Sequence, residues 1–387
     1  MDAMLTLMQI AALIVCGMCH ALLGSVKVPL ARKLGIDEAR VGGLVSVFGF
    51  TLIPMVLAAG FLVDWLGKQA VLSGGFVLLT VSIATLARLA SYRVALFAVL
   101  LLGTGWSALV NVLNVTSPPA FLPAADIPRR MAYAMNMGDF IFGMGAFLTP
   151  LAVALLVRRV RLERTLLLLS TLAVVPLLLG IGVQWERLAS PSTETVTGGL
   201  QLLLSDPVVW LCCLAFFCHV PIEASTAAWA TTLMTDRGVS EGRASTLLSA
   251  FWLTFMGSRL VTALTLPEGA DTLLVLTMAA LCIAFTLVIA LSSTAWLTCA
   301  MVVVAGLILG PIFPTLIAIL LSHVPPSLHG RTVGLFFCIG GIGWTAIPLL
   351  IGAYAKRTSV QRSFLIATVC AIMLTVLSIA LGAQLAG

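Results

Sequence analysis

The sequence predicts an all-α membrane protein: twelve transmembrane helices in two pseudo-symmetric six-helix bundles. Composition, the length of the apolar runs and an internal repeat carry that reading. Of the 387 residues, 60% are hydrophobic and only 9% are charged, against about 25% charged in a soluble domain. Such a chain cannot cover a surface that faces water. Many of its 33 glycines and 17 prolines fall within apolar stretches, a habit common in membrane helices and costly in soluble ones.

Crossing the hydrocarbon core takes about 20 mostly apolar residues, and twelve runs reach that length. The first, 7–30, has no basic residue ahead of it, is too long for a signal-peptide core and lacks a small-residue cleavage site. It is expected to be a retained helix. Arg32-Lys33-Leu34-Gly35-Ile36-Asp37-Glu38 separates it from the second run, 41–65, and a glycine-bearing turn leads to the third, 70–90. The fourth, fifth and sixth runs, 93–120, 131–157 and 164–185, complete an N-terminal bundle of residues 1–185. Glu186 to Gln201 is the longest polar stretch, containing Ser190-Pro191-Ser192-Thr193-Glu194. It is central, charged and turn-rich, and residues 186–205 read as a cytoplasmic linker. The C-terminal bundle, 206–387, holds runs 207–234, 244–266 (after Asp236-Arg237-Gly238), 272–292, 295–321, 331–354 and 361–383.

The repeat lies in the fifth and eleventh runs. Gly143-x-Gly145 followed by Pro150 recurs as Gly341-x-Gly343 followed by Pro348, and Cys19-His20 in the first run recurs as Cys218-His219 in the seventh. Both echoes are about 200 positions apart, as duplication of a six-helix unit requires. Parallel repeats of this kind are one way in which transporters build a midplane site.

Nine cysteines are present, most of them in apolar runs, where a thiol acts as a small hydrophobe. Cys16 and Cys19 form a C-x-x-C, but within an unbroken helical pattern they read as packing residues and not as a redox or metal pair. The net charge of +6 points to basic loops beside anionic headgroups. No Lys/Arg run suits a nucleic acid.

A charge near the bilayer centre costs about 2.5 kcal/mol or more, so each retained one is a functional candidate. Glu223 lies mid-helix, four residues after His219 and on the same face. This pair is the leading proton-coupling candidate, with an interhelical hydrogen bond as the plainer role. Asp139, three residues after Asn136, is the second carboxylate candidate for substrate or proton contact, with structural pairing, for example to His20, as its alternative. Asn111, Asn114 and Asn136 offer a donor and an acceptor each, as sugar hydroxyls require, though asparagine also joins membrane helices. Trp229 and Trp252 can stack on a sugar face or pack against lipid. His20 is a further substrate-site candidate, and Arg259, at the end of the eighth run, fits a gate. Asp64 and Lys68 sit in Gly60-Phe61-Leu62-Val63-Asp64-Trp65-Leu66-Gly67-Lys68, where the glycines permit a tight turn and the carboxylate can accept from a neighbouring helix start.

That stretch resembles the loop motif G-x-L-x-D-R-x-G-R of the major facilitator superfamily, with Trp65 in place of the usual arginine, a change that weakens the gating ion pair expected there. Phe216-Phe217-x5-Glu223-Ala224-Ser225-x3-Trp229 and Phe251-Trp252-x4-Gly257-Ser258-Arg259 are similar to helices seven and eight of its fucose–proton symporter-like group. Asn136-x-x-Asp139-x-x-Phe142-Gly143-x-Gly145, Pro311-Ile312-Phe313-Pro314-Thr315 and Gly341-x-Gly343-x4-Pro348-x3-Gly352 resemble its helices five, ten and eleven. The resemblance implies the major facilitator fold, with two halves rocking about a midplane site lined by helices 1, 4, 5, 7, 8 and 10. It also implies transport of a small polar solute, a sugar above all, with proton symport in a bacterial inner membrane. The group's acids in helices one and four are not inherited: His20 and Lys27 stand in the first run, and Val110 stands beside Asn111 in the fourth. Coupling must therefore use another acid or be absent.

The charge bias and the resemblance point to opposite orientations. With the amino terminus inside, as the resemblance implies, the cytoplasmic loops hold about five Lys/Arg and the opposite side about fifteen, the reverse of the usual bias. Other function classes are weaker. An exporter of an amphipathic or drug-like compound is the alternative within the same superfamily. An enzyme is not expected: the sequence shows no His/Asp metal cluster, G-x-S-x-G or phosphate loop, and hence no cofactor motif. The expected partners are a small-molecule substrate, the lipid bilayer and protons or another cation, with the protein a monomer.

Overall fold

The structure is a computed structural model that describes residues 2–88, 91–188 and 199–386. The segment Ser190 to Glu194, read above as linker, lies outside the described residues. Among those described, twelve helices are long and apolar enough to cross a membrane: Ala3–Ser25, Arg40–Leu66, Lys68–Ala87, Tyr92–Phe121, Ile127–Arg159, Leu162–Ile181, Pro207–Thr235, Glu241–Thr265, Asp271–Leu291, Ala295–His323, Pro326–Arg357 and Val360–Ala386. They are called spans 1 to 12, and their number matches the expectation.

Local chemistry sets their ends. The Asp2 carboxylate accepts from the Met4 N–H at 2.9 Å and starts span 1. Asp206 does the same for Val208 at 2.8 Å, with Pro207 at the first helical position of span 7. Gly67 takes φ +85°, so span 3 follows span 2 with almost no loop. Span 10 is two helices, Ala295–Leu309 and Ile312–His323, broken at Gly310-Pro311. The Gly310 carbonyl would look for a donor four residues on, where Pro314 has none, and so it is left free for a side chain.

The chain forms two compact units. The first joins Met1–Ile127, Ile141–Thr197 and Pro325–Cys338; the second joins Pro128–Phe140, Gly198–Val324 and Ile339–Gly387. Spans 5 and 11 thus contribute to both. Within the first unit span 4 packs on spans 1, 2 and 3, and span 6 on spans 1 and 3. Within the second, span 10 packs on spans 7, 8 and 9, and span 12 on spans 7 and 9. The same neighbour scheme therefore occurs twice.

The glycine echo has a packing cause. A side chain at Gly145 would collide with the Ile14 backbone of span 1, and one at Gly343 with the Phe217 carbonyl of span 7. Small residues let helices approach closely where lipid gives no hydrophobic drive. Pro221 leaves that Phe217 carbonyl without its helical donor, so Gly343 meets a free acceptor. The nine cysteines are all free, and Cys16 and Cys19 are buried in span 1.

Candidate functional site

Four intramembrane ionisable residues come together in the second unit. Span 7 brings His219 and Glu223 onto one face, with Nε2 and Oε2 3.5 Å apart; His219 is fully buried and Glu223 half-buried. Span 5 brings Asp139, whose Oδ2 lies 3.7 Å from Nη1 of Arg259 on span 8. Glu223 is near enough to act electrostatically on Asp139. The two carboxylates thus share a neighbourhood that holds one guanidinium and one imidazole.

Arg259 is held from several sides. Its Nε donates to the freed Gly310 carbonyl at 2.9 Å, and its Nη1 reaches the Asp139 backbone carbonyl at 3.4 Å. Its guanidinium lies 4.3 Å from the centre of the Phe255 ring and 5.9 Å from that of Phe313, a cation–π setting that favours a desolvated arginine. The eighth span therefore fixes the cation, while the acids beside it are bonded more loosely. Asp139 Oδ2 and both ring nitrogens of His219 are buried without a hydrogen bond. Asn136 donates to Ala132 O at 3.0 Å and Thr315 Oγ1 at 3.2 Å, and its Oδ1 accepts nothing. A ligand or water in this neighbourhood would find unfilled acceptors.

Both tryptophans expected near substrate belong to this unit. Trp229 faces span 11 beside Gly352. Trp252 is exposed and packs in edge contacts on Phe251 and Phe255.

The first unit places His20, Asn111 and Asn114 differently. The His20 ring sits among aromatics, 5.3 Å from Trp106, 5.8 Å from Phe142 and 6.4 Å from Phe48 between centres. Trp106 is fixed by donating to the Cys16 carbonyl at 3.1 Å. Asn111 is fully buried and donates to Val56 O at 3.2 Å, leaving Oδ1 unfilled. Asn114 bonds back to Val110 O at 2.8 Å in its own helix. The aromatic ring around His20 was not visible in the sequence, because Trp106, Phe48 and Phe142 come from three different spans.

Asp64 does not lack a partner despite Trp65. Its Oδ1 accepts from the Gly330 N–H and its Oδ2 from the Arg331 N–H, both at 3.2 Å. The Arg331 Nε also lies 3.1 Å from Oδ2. A carboxylate on two amides at a helix start is favoured by the helix dipole as well as by charge. Backbone contact between Gly60 and Gly330 allows this approach. Trp65 is 79% exposed and takes no part. Lys68 Nζ donates to the Leu188 carbonyl at 2.6 Å, an anchor and not an ion pair. Arg331 was missed because nothing in its surroundings, His329-Gly330-Arg331, marks it as the partner of a residue so far away in the chain.

The family model of the Major Facilitator Superfamily matches residues 10–348. Bypass of stop codon protein 6 of Saccharomyces cerevisiae is 27% identical over 181 residues, 44% of this chain and 36% of that protein, so the match spans little over a third of the relative's length. Similar solved structures include the E. coli fucose:proton symporter FucP, at TM-score 0.80 and 14% identity over 96% of this chain and 97% of that one. Another is the human organic anion transporter MFSD10, at TM-score 0.79 and 16% identity over 97% and 99%. The xylose symporter XylE, a proton-coupled protein, scores 0.75 at 13% identity over 96% and 94%. At these identities the likeness establishes the fold alone.

Proposed function

This chain belongs to the major facilitator superfamily, and from that premise we propose that it is a secondary transporter moving a small polar solute, a sugar first of all, by alternating access with proton coupling. One observation carries the coupling claim: two carboxylates, Glu223 and Asp139, share a neighbourhood inside the membrane with His219 and Arg259. One arginine cannot neutralise both acids, so uptake of a proton by one of them relieves the excess negative charge. In this reading Glu223 carries the proton, His219 supports it, and Asp139 answers through Arg259. Asn136 contacts the solute in the second unit, and Asn111, Asn114 and His20 are the polar candidates of the first, while Asp64, Lys68 and Arg259 gate. The sequence halves 1–185 and 206–387, joined by 186–205, are the moving bodies.

Uptake into proteoliposomes across a sugar panel, with and without a pH gradient, tests the proposal. Gradient-driven accumulation of a sugar is the expected result; none across the panel, with extrusion of an amphipathic dye, supports export instead. The comparable fold of the human organic anion transporter favours that second reading. We place the amino terminus in the cytoplasm and the protein in a bacterial inner membrane, in keeping with the E. coli neighbour. A cysteine put at Arg161 should then be labelled from outside intact cells by an impermeant reagent; labelling only after lysis would reverse the orientation.

A further inference from the structure

We infer that the surface formed where spans 5 and 6 meet is a docking site for acidic phospholipid headgroups. Four arginines fall within seven positions here: Arg158 and Arg159 in the last turn of span 5, then Arg161 and Arg164 at the start of span 6. All four are exposed. The one carboxylate among them, Glu163, is taken by Lys33, whose Nζ lies 3.0 Å from Oε1 and also donates to the Ala87 carbonyl at 2.6 Å. Among the described residues none of the four arginines has a carboxylate within ion-pair distance. Glu163 also lies near enough to Arg161 to act on it electrostatically, so one carboxylate already paired with Lys33 faces four arginines, and most of their charge is left unmatched.

The surroundings select the source of the missing anion. On span 5 the exposed residues Leu148, Leu151 and Leu155 follow helical spacing and lead directly to Arg158 and Arg159. On span 6 Arg164 is followed at the same spacing by exposed Leu168, Leu172 and Val175. Each stripe has the length and polarity of a lipid contact: apolar along the acyl chains, cationic at headgroup depth. Guanidinium forks match phosphate oxygens in a bidentate manner, and basic clusters at the end of a membrane helix attract anionic lipid. A free phosphate would satisfy the arginines but leave the leucine stripes without a partner. More arginines are exposed in the same unit, Arg32 between spans 1 and 2, Arg40 at the start of span 2, Arg88 just after span 3 and Arg93 at the start of span 4, and they extend the attraction to the leaflet beside those helix ends.

The test uses the purified full chain in nanodiscs of phosphatidylcholine alone or mixed equally with phosphatidylglycerol, read by thermal unfolding. The mixed lipid should raise the unfolding temperature of the wild type, and inorganic phosphate added to the phosphatidylcholine discs should not. The variant R158Q/R159Q/R161Q/R164Q should lose at least half of that rise, while R129Q/R130Q, at the start of span 5, keeps it. High salt should shrink the wild-type rise, because screening length falls to about 3 Å at 1 M. A full rise in the quadruple variant, no rise in the wild type, or an equal rise with phosphate would each overturn the inference. If the quadruple variant does not fold, R161Q/R164Q decides: a partial loss supports the site and an unchanged rise removes it.

Discussion

The first unit buries an uncharged polar cluster and the second a charged one, and they are finished to different degrees. In the first, Gln9 of span 1 is fully buried and fully bonded. Its Nε2 donates to Leu113 O and Ser117 Oγ, both at 2.9 Å, and its Oε1 accepts from Thr116 Oγ1 at 2.8 Å. In the second, the contacts are long, 3.5 Å between His219 and Glu223 and 3.7 Å between Asp139 and Arg259, and buried acceptors are unfilled. A completed network adds rigidity. An incomplete, ionisable one in a low dielectric costs free energy that packing alone does not explain. On the proposed reading, the second cluster serves a change of state, whereas the first joins span 1 to span 4.

The largest effect should come from Arg259→Ala. It would leave Asp139 buried without its cation, at a cost of about 3–5 kcal/mol, seen as a fall in unfolding temperature and in the yield of folded protein. Adding Asp139→Asn should restore much of that loss; if it does not, the two residues are not a unit. Next is Gln9→Leu. Three hydrogen bonds vanish, but Ser117 keeps its own helix carbonyl and the single Thr116 hydroxyl proton can turn wholly to Val112 O, so the loss should be about 1–3 kcal/mol, with the pH dependence of transport unchanged. A shifted pH dependence would erase the contrast between the units. Smallest in stability should be Asn111→Ala. One of its amide atoms already lacks a partner, so unfolding should move by about 1 kcal/mol or less, while solute binding weakens if Oδ1 reaches the substrate. Unchanged binding would return Asn111 to a structural role.

The fold was legible because lipid imposes a single rule on each segment: about 20 apolar residues, every backbone bond satisfied within the helix. Run length and turn chemistry report that locally, and the ends at Asp2, Gly67 and Pro207 follow from it. The glycine echo at Gly145 and Gly343 was visible as a repeat, but its cause, contact with the backbones of Ile14 and Phe217, needed coordinates. The site was legible only as single residues. Glu223 and His219 could be paired by their spacing on one helix. Asp139 with Arg259 could not, nor Asp64 with Arg331, because those pairs join distant spans. Gln9 went unnoticed because one uncharged polar residue in an apolar run carries no signal of its partners. The Gly310 carbonyl that holds Arg259 was legible in retrospect, since Pro314 stands where its donor should be.

Proton coupling as proposed depends on Glu223 as the carrier within the charged cluster of the second unit. Its most direct test is Glu223→Gln in proteoliposomes, measuring both accumulation driven by a pH gradient and solute exchange at equal pH on both sides. The account predicts that accumulation is lost while exchange continues near the wild-type rate. Wild-type accumulation in that variant would contradict it.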